Sequence, residues 1–188
     1  GNDVDLWCLT SSVYKRIVLF ESHDEWRMTV NNRIHTNQSF FSCSNVSTKG
    51  FSTRMNAKEQ ATKLFRFLSC ESLSMLNNYL EKYMLDLKKS DLFKDIINIE
   101  PDWIYVDGPL GGYNSPYSFQ EDSNRGRLET ILTAYVCLNE LNTKSRNKWL
   151  IVDDMHRIIE RNSVELIKDK LSHKISLGRN TFAMKLRR

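Results

Sequence analysis

The chain has 188 residues and a formal net charge of +4, with 27 basic and 23 acidic side chains distributed along it. This length allows one domain with a well-buried core and is short for two complete ones. Hydrophobic residues make up 40% of the chain, and no apolar run approaches the length of a membrane span. We therefore expect one globular domain over 1–188, with no membrane span and, since no basic stripe is present, no nucleic-acid partner.

Three short apolar runs, each followed by an acidic residue, are the clearest signals of secondary structure. They cover 17–20 before Glu21, 103–106 before Asp107 and 149–152 before Asp153. Such runs, bounded by polar residues, are typical of strands buried on both faces of a parallel sheet. The pattern therefore places the three carboxylates at the carboxyl ends of parallel strands.

Helical patterns lie before and between these runs. Asp3 is a good N-cap for a first helix that ends at Leu9. Apolar residues recur at helical spacing in four later segments: 57–68, 73–87, 128–141 and, less regularly, 156–171. Strands that alternate with helices predict an α/β fold with a parallel sheet.

The remaining segments read as a strand, two loops and a hairpin. A short strand is predicted at 39–42, and long loops are predicted at 41–56 and 108–125, the second of them a substrate lid. Alternating segments at 173–177 and 181–186, joined by a turn that contains Gly178, predict an antiparallel hairpin at the end of the chain. A mostly parallel sheet with helices on both faces and such a hairpin is the plan of Rossmann-like class I methyltransferases.

Acidic side chains at neighbouring strand ends suggest a reaction centre. Adjacent parallel strands lie about 4.8 Å apart, so Asp107, Asp153 and Asp154 can converge on one small volume. Three carboxylates repel one another unless a cation or a proton neutralises them, and a hard divalent cation prefers oxygen ligands. The alternative is that one aspartate caps the helix expected at His156 while the others are solvated. His156 is itself a candidate general base or a structural residue.

Glu21 suggests an adenosine ligand. In nucleotide-binding α/β folds, an acidic residue at this kind of strand end accepts hydrogen bonds from the ribose hydroxyls. The alternative reading is a carboxylate that caps the next turn. The segment before it favours the first reading, because Gly1 and Asn2 look like the end of a glycine loop and Asp3 begins a helix whose positive end would face the ligand.

Six segments in order resemble the glucuronoxylan 4-O-methyltransferase-like family of polysaccharide methyltransferases. They are GNDVDLW, RIVLFESHDEW, DWIYVDGPLGGY, NRGRLETILTAY, WLIVDDMHRIIER and LGRNTFAMK. The resemblance covers nearly the whole chain. It also places the family's first strand and most of its glycine loop upstream of Gly1, so we expect that strand from residues before Gly1.

The resemblance implies S-adenosylmethionine as cofactor and a sugar hydroxyl of a glycan as acceptor. By position, it assigns the cofactor to Gly1, Asn2, Asp3, Glu21, Ser22 and Asp107. It places Asp107 and Asp154 at the reaction centre, acting directly or through Mg²⁺, Mn²⁺ or Co²⁺ held together with Asp153. Arg127 would hold the lid or a sugar hydroxyl, and Tyr113 in the lid would stack on a sugar face.

Other functions stay open at this point. They are a metal-dependent methyltransferase of small molecules, a nucleic-acid methyltransferase, a nicotinamide-dependent oxidoreductase and a non-catalytic Rossmann-like binding module. The compartment also stays open: the sequence fits a soluble domain in the cytoplasm, or in the secretory-pathway lumen if an upstream anchor has been removed. The four cysteines, Cys8, Cys43, Cys70 and Cys137, form no CxxC pair and are expected to be reduced and mostly packed.

Overall fold

The computed structural model describes residues 3–21, 24–107, 127–142 and 147–187, with the side chains of Asp3 and Ala57 left out. It divides into two compact units, Gly1–Ser52 and Thr53–Arg188. Each unit has its own β-sheet, so the α/β class predicted from the sequence is confirmed. None of the described helices is both long enough and apolar enough to cross a membrane.

The first unit is a small α/β layer built on two parallel strands. Its elements are α1 (Asp3–Leu9), a 3-10 turn (Ser11–Val13), β1 (Ile17–Glu21), α2 (Asp24–Gln38) and β2 (Val46–Gly50). The strands pair from Ile17 with Val46 to Glu21 with Gly50. The core of the unit is formed by Val4, Cys8, Ile17, Ile34, Cys43 and Val46. The predicted first helix and first strand are therefore confirmed.

The strand predicted at 39–42 is wrong. These residues turn at the end of α2, where the N–H groups of Phe40 and Phe41 donate to the carbonyl of Asn37 at 2.9 and 2.7 Å. The strand lies further along, at Val46–Gly50, inside the segment predicted as a loop. Sequence patterns also missed α2, because this mostly polar helix buries only Ile34 and Asn37 and so has no apolar stripe.

Five helices are described in the second unit. They are α3 (Ala57–Leu68), α4 (Leu73–Leu87), α5 (Asp91–Ile99), α6 (Arg127–Asn142) and α7 (Ile158–Glu165). Side chains of Asn56, Ser72 and Ser90 cap the first three by accepting a backbone N–H of the first turn. The helices predicted at 57–68, 73–87 and 128–141 are confirmed. The last helix is shorter than predicted, because a 3-10 turn (Lys168–Lys170) follows it, and α5 was not predicted.

The sheet of the second unit has the strand order β3-β4-β6-β5. Its strands are β3 (Trp103–Val106), β4 (Trp149–Val152), β5 (Leu171–Ser176) and β6 (Phe182–Leu186). β3 and β4 are parallel, whereas β6 runs antiparallel to both of its neighbours. The two predicted strands and the antiparallel hairpin are therefore confirmed.

Helix α6 is the central helix of the second unit. From Arg127 to Leu138, every residue except Thr130 is buried. The Glu129 carboxylate accepts the N–H groups of Arg54, at 2.9 and 3.0 Å, and of Met55, at 3.2 Å. In return, the Glu129 N–H donates to Oε1 of Gln60 at 2.8 Å. These bonds anchor the start of α3 to α6.

Candidate functional site

The structure brings the predicted acidic residues of the second unit together. Asp107 directly follows β3, and Asp153 and Asp154 directly follow the adjacent parallel strand β4. The Asp153 N–H donates to the Val106 carbonyl at 3.0 Å, which continues the pairing of the strands to their carboxyl ends. We call Asp107, Asp153, Asp154 and the Arg127 side chain beside them the strand-end cluster.

Arg127, the first residue of α6, is the internal cation of the strand-end cluster. Its side chain is 1% exposed. Nη2 lies 3.0 Å from Oδ2 of Asp154 and 4.0 Å from Oδ1 of Asp107, and Nη1 donates to the Asp153 carbonyl at 3.4 Å. The guanidinium of Arg127 thus contacts the protein's own carboxylates. The predicted contact of Arg127 with the lid or a sugar hydroxyl stays a prediction, because the lid lies outside the described residues.

Asp153 is held by three hydrogen bonds. Its Oδ1 accepts the Thr181 hydroxyl at 2.6 Å and the Asp154 N–H at 2.8 Å, and its Oδ2 accepts the Tyr105 hydroxyl at 3.0 Å. Burial alone would raise the pKa of Asp153, but these hydrogen bonds and the Arg127 charge outweigh it, so the pKa lies below its ordinary value. Asp153 is therefore an ionised anchor between β3, β4 and the hairpin.

Asp154 combines an unusual backbone with two ion pairs. Its φ is 56°, in the left-handed region that Asp tolerates better than most residues. Its Oδ2 lies 3.0 Å from Nη2 of Arg127 and 3.0 Å from Nη1 of Arg157. Its side chain is 22% exposed, so part of it is accessible to solvent. Strained backbone at an ion-paired carboxylate is a feature that clusters at functional sites.

His156 lies at the solvent side of Asp154. Its side chain is 52% exposed, and its Nδ1 is 4.0 Å from Oδ1 of Asp154. Arg157, rather than His156, is the N-cap of α7. The Met155 N–H donates to the Asn180 carbonyl at 2.9 Å. The segment after β4 is thus tied to the turn of the hairpin, and His156 projects from it.

Glu160 is the buried carboxylate beneath the cluster. It is fully buried on α7, and its Oε1 lies 3.3 Å from Nε of Arg127 and 4.0 Å from Nη1 of Arg157. Neither of its oxygens accepts a hydrogen bond from a donor in the described part of the chain. Burial therefore raises the pKa of Glu160 above its ordinary value, although Arg127 opposes the rise. A proton or the two guanidinium groups must compensate this carboxylate.

The geometry bears on the predicted metal site. Among residues 3–21, 24–107, 127–142 and 147–187, no group of three or more His, Cys, Asp or Glu side chains is arranged to hold a metal ion. Asp153 directs both oxygens to hydrogen-bond donors, and Asp154 faces two arginines. Arg127 and Arg157 place positive charge beside Asp154, and the divalent cation expected from the sequence stays a prediction.

Only part of the predicted cofactor site falls within the described residues. Glu21 ends β1, opposite Gly50 of β2, and is half-buried. Asp3 begins α1. Asp107, which follows β3, is also described, whereas Gly1, Asn2 and Ser22 lie outside the described part of the chain. The predicted substrate contact Tyr113 and the lid at 108–125 lie outside it as well.

Four residues of the site escaped the sequence reasoning: Tyr105, Arg157, Glu160 and Thr181. The sequence holds a weak sign that Glu160 is buried, because this residue lies on the buried face of the last predicted helix. Thr181 is 28 residues from Asp153 and Tyr105 is 48 residues from it. No local pattern reports such distant pairs.

Comparison of the chain with protein-family models, with curated proteins and with solved structures gave no match.

Proposed function

We propose that this chain is a class I S-adenosylmethionine-dependent O-methyltransferase that methylates a sugar hydroxyl of a glycan. The sheet of the second unit is the observation that carries the proposal. Two parallel strands are followed by an antiparallel hairpin, in the order β3-β4-β6-β5. A class I methyltransferase sheet ends in this order and these directions. This support is an analogy of fold, and the acceptor rests on the sequence resemblance alone.

The connection between the two strands of the first unit also supports the proposal. β1, α2 and β2 form a parallel βαβ unit, which is the building block of nucleotide-binding halves. Glu21 stands at the carboxyl end of β1, where a carboxylate can accept two ribose hydroxyls. Glu21 and Asp107 are the predicted cofactor contacts whose side chains are described, and Glu21 is the one suited to the ribose. The further strand expected before Gly1 stays a prediction.

The strand-end cluster suggests how the acceptor is handled. When bound, S-adenosylmethionine supplies a sulfonium methyl group that needs no further activation. The chain must hold the acceptor oxygen in line and take its proton. The Asp107 side chain is 42% exposed and lies 4.0 Å from Arg127, so it is the more accessible carboxylate. We assign Asp107 as the general base and Asp154, which two arginines hold in place, as the group that orients the hydroxyl. His156 is the alternative base, because it is exposed beside Asp154.

One observation favours a second candidate, a non-catalytic Rossmann-like binding module. Oδ2 of Asp154 is engaged by both Arg127 and Arg157, and Asp153 by three donors. Carboxylates held in this way are better suited to positioning than to proton transfer. Such a module would bind the cofactor or its demethylated product and would transfer nothing. A metal-dependent methyltransferase of small molecules is the third candidate. Methyl transfer to catechol rather than to an oligosaccharide would identify it.

Calorimetry and methyl transfer together test the proposal. The full-length protein should bind S-adenosylhomocysteine and transfer a labelled methyl group to at least one member of an oligosaccharide panel. Glu21→Ala should weaken binding by about 10- to 100-fold, because it removes charge-assisted hydrogen bonds worth roughly 1.5–3 kcal/mol. The matched control is Glu25→Ala, an exposed carboxylate on α2. Absence of binding refutes the cofactor assignment, and binding without transfer to any acceptor supports the binding module.

A further inference from the structure

Two cysteines lie together in the core of the first unit. Cys8 is on α1 and Cys43 is in the segment between α2 and β2. Each is 1% exposed, and both belong to the same small apolar cluster. Their burial was expected from the sequence, but their proximity was not, because 34 residues separate them.

Ser11 holds the two backbones close to each other. Its hydroxyl lies 2.8 Å from the Cys8 carbonyl and 3.3 Å from the carbonyl of Ser42, which belongs to the peptide bond preceding Cys43. These two carbonyl oxygens are therefore no more than about 6 Å apart. Asn45 fixes this arrangement, because its amide donates to the carbonyls of Ser11 and Tyr14 at 2.8 and 2.7 Å. Ser11 therefore ties the backbone of Cys8 to the peptide bond that precedes Cys43.

The two thiols also influence each other. Burial, followed by a hydrogen bond with the Cys43 thiol and by the charge of that group, raises the pKa of Cys8 to about 11. The two remaining cysteines behave differently, since their thiols face carbonyl oxygens. Cys70 lies 3.4 Å from the Arg66 carbonyl, and Cys137 lies 3.8 Å from the Phe93 carbonyl. Among the four, Cys8 and Cys43 are the two that share one core cluster.

We propose that Cys8 and Cys43 form a disulfide when the chain folds under oxidising conditions, which links α1 covalently to the segment preceding β2. With glutathione disulfide as oxidant, one cysteine thiolate attacks it and releases one glutathione thiolate. The second cysteine thiolate then attacks the mixed disulfide and releases the other. One S–S bond is formed and one is broken, two protons leave the cysteines, and the two electrons reduce glutathione disulfide to two glutathione molecules.

Burial sets the order of these events. A thiol with a raised pKa inside a core is a poor nucleophile and is hard for an oxidant to reach. The bond therefore forms before the first unit closes, and the closed unit then shields it from reductants. A bond between residues this far apart also restricts the unfolded chain, which stabilises the folded one.

Peptide mapping of the full-length protein tests the pairing. The protein is refolded in a glutathione redox buffer, denatured in the presence of N-ethylmaleimide and digested with trypsin. The tryptic peptide that contains Cys8 and ends at Lys15 should be recovered linked to peptide 34–49, which contains Cys43, whereas Cys70 and Cys137 should be alkylated. The proposal is overturned if Cys8 and Cys43 both carry the maleimide, or if either is linked to Cys70 or Cys137.

Protection of the bond provides a second measurement that needs no variant. Dithiothreitol should reduce the linked protein at least ~10-fold more slowly in native buffer than in urea, because reduction requires opening of the unit. The oxidised Cys70→Ser/Cys137→Ala variant should also melt at a higher temperature than its reduced form. Adding Cys8→Ala or Cys43→Ala should abolish that difference. Equal reduction rates in the two solvents, or equal melting temperatures with and without the bond, would contradict the proposal.

Discussion

Nε of Arg127 lies 3.3 Å from Oε1 of Glu160, and both side chains are buried in the second unit. The pair joins the start of α6 to α7 directly beneath the carboxylates at the ends of β3 and β4. Removal of Arg127 alone takes the nearest cation from the buried Glu160, which is costlier than removal of both members. The free energy of unfolding of the second unit should therefore depend on this pair.

Removing the cation alone should destabilise the second unit strongly. Arg127→Met should lower the free energy of unfolding by about 3–5 kcal/mol, because the buried Glu160 then loses its nearest cation and keeps only Arg157, whose Nη1 lies 4.0 Å away. The double variant Arg127→Met/Glu160→Leu should recover a large part of this loss. Urea unfolding measures both, with Arg161→Ala, exposed on α7, as the control expected to change stability by about 0.5 kcal/mol or less. A double variant that loses the sum of the two single effects would show that the side chains are not coupled.

The raised pKa of Glu160 predicts a pH dependence of stability. The folded state holds the Glu160 proton at a pH where the unfolded state, with an ordinary pKa near 4.5, has released it. The contribution of Glu160 to stability is therefore fully present below pH 4.5 and is lost as pH rises through the pKa of the folded state. The stability of Glu160→Gln relative to the wild type should increase over that window. Urea unfolding at successive pH values measures it, and Glu165→Gln controls for net charge. A stability difference between Glu160→Gln and the wild type that does not change with pH would contradict the raised pKa of Glu160.

Substitution of Asp153 should mainly lower stability, whereas substitution of Asp107 should mainly abolish activity. Asp153→Asn disturbs three hydrogen bonds and should lower the free energy of unfolding by about 1.5–3 kcal/mol. Asp107→Asn, at a side chain that is 42% exposed, should leave stability within about 0.5 kcal/mol and abolish methyl transfer. Thermal unfolding and the methyl-transfer assay measure the two effects. An active Asp107→Asn variant would remove Asp107 as the general base.

Backbone strain at Asp154 should be measurable by substitution. Asn tolerates a positive φ better than Ala does, and Gly has no Cβ to strain. Asp154→Ala, Asp154→Asn and Asp154→Gly all remove the ion pairs with Arg127 and Arg157. We expect Asp154→Ala to be less stable than either of the others by about 1 kcal/mol in urea unfolding. Equal stability of the three variants would mean that φ at Asp154 relaxes without cost.

Chelation distinguishes arginine from metal at the strand-end cluster. We expect methyl transfer to continue after exhaustive treatment with EDTA, because Arg127 and Arg157 already oppose the charge of Asp154. Activity that is lost on chelation and restored by Mg²⁺, Mn²⁺ or Co²⁺ would instead support the metal site predicted from the sequence. Asp154→Ala alone cannot distinguish these readings, since both require that carboxylate.

The sequence by itself determined most of the local structure. The apolar runs before Glu21, Asp107 and Asp153 are strands, since short apolar runs bounded by polar residues are typical of strands. The hairpin around Gly178 was predictable from alternation and turn chemistry. The position of acidic residues at strand ends follows from the same patterns. The strand β2 and the helix α2 were missed because their sequences are polar, so their burial depends on neighbours rather than on a pattern.

Only the tertiary structure decided what surrounds these acidic residues. The burial of Arg127 could not be predicted, because a local motif carries no information on depth. Packing of α6 against the strands buries this arginine, and packing of α7 brings Glu160 to its far side. The same holds for Asp153 with Thr181 and for Glu129 with Arg54, which is 75 residues away. Sequence patterns record which residues must be buried, whereas the partner that compensates a buried charge is set by elements that meet only after the chain has folded.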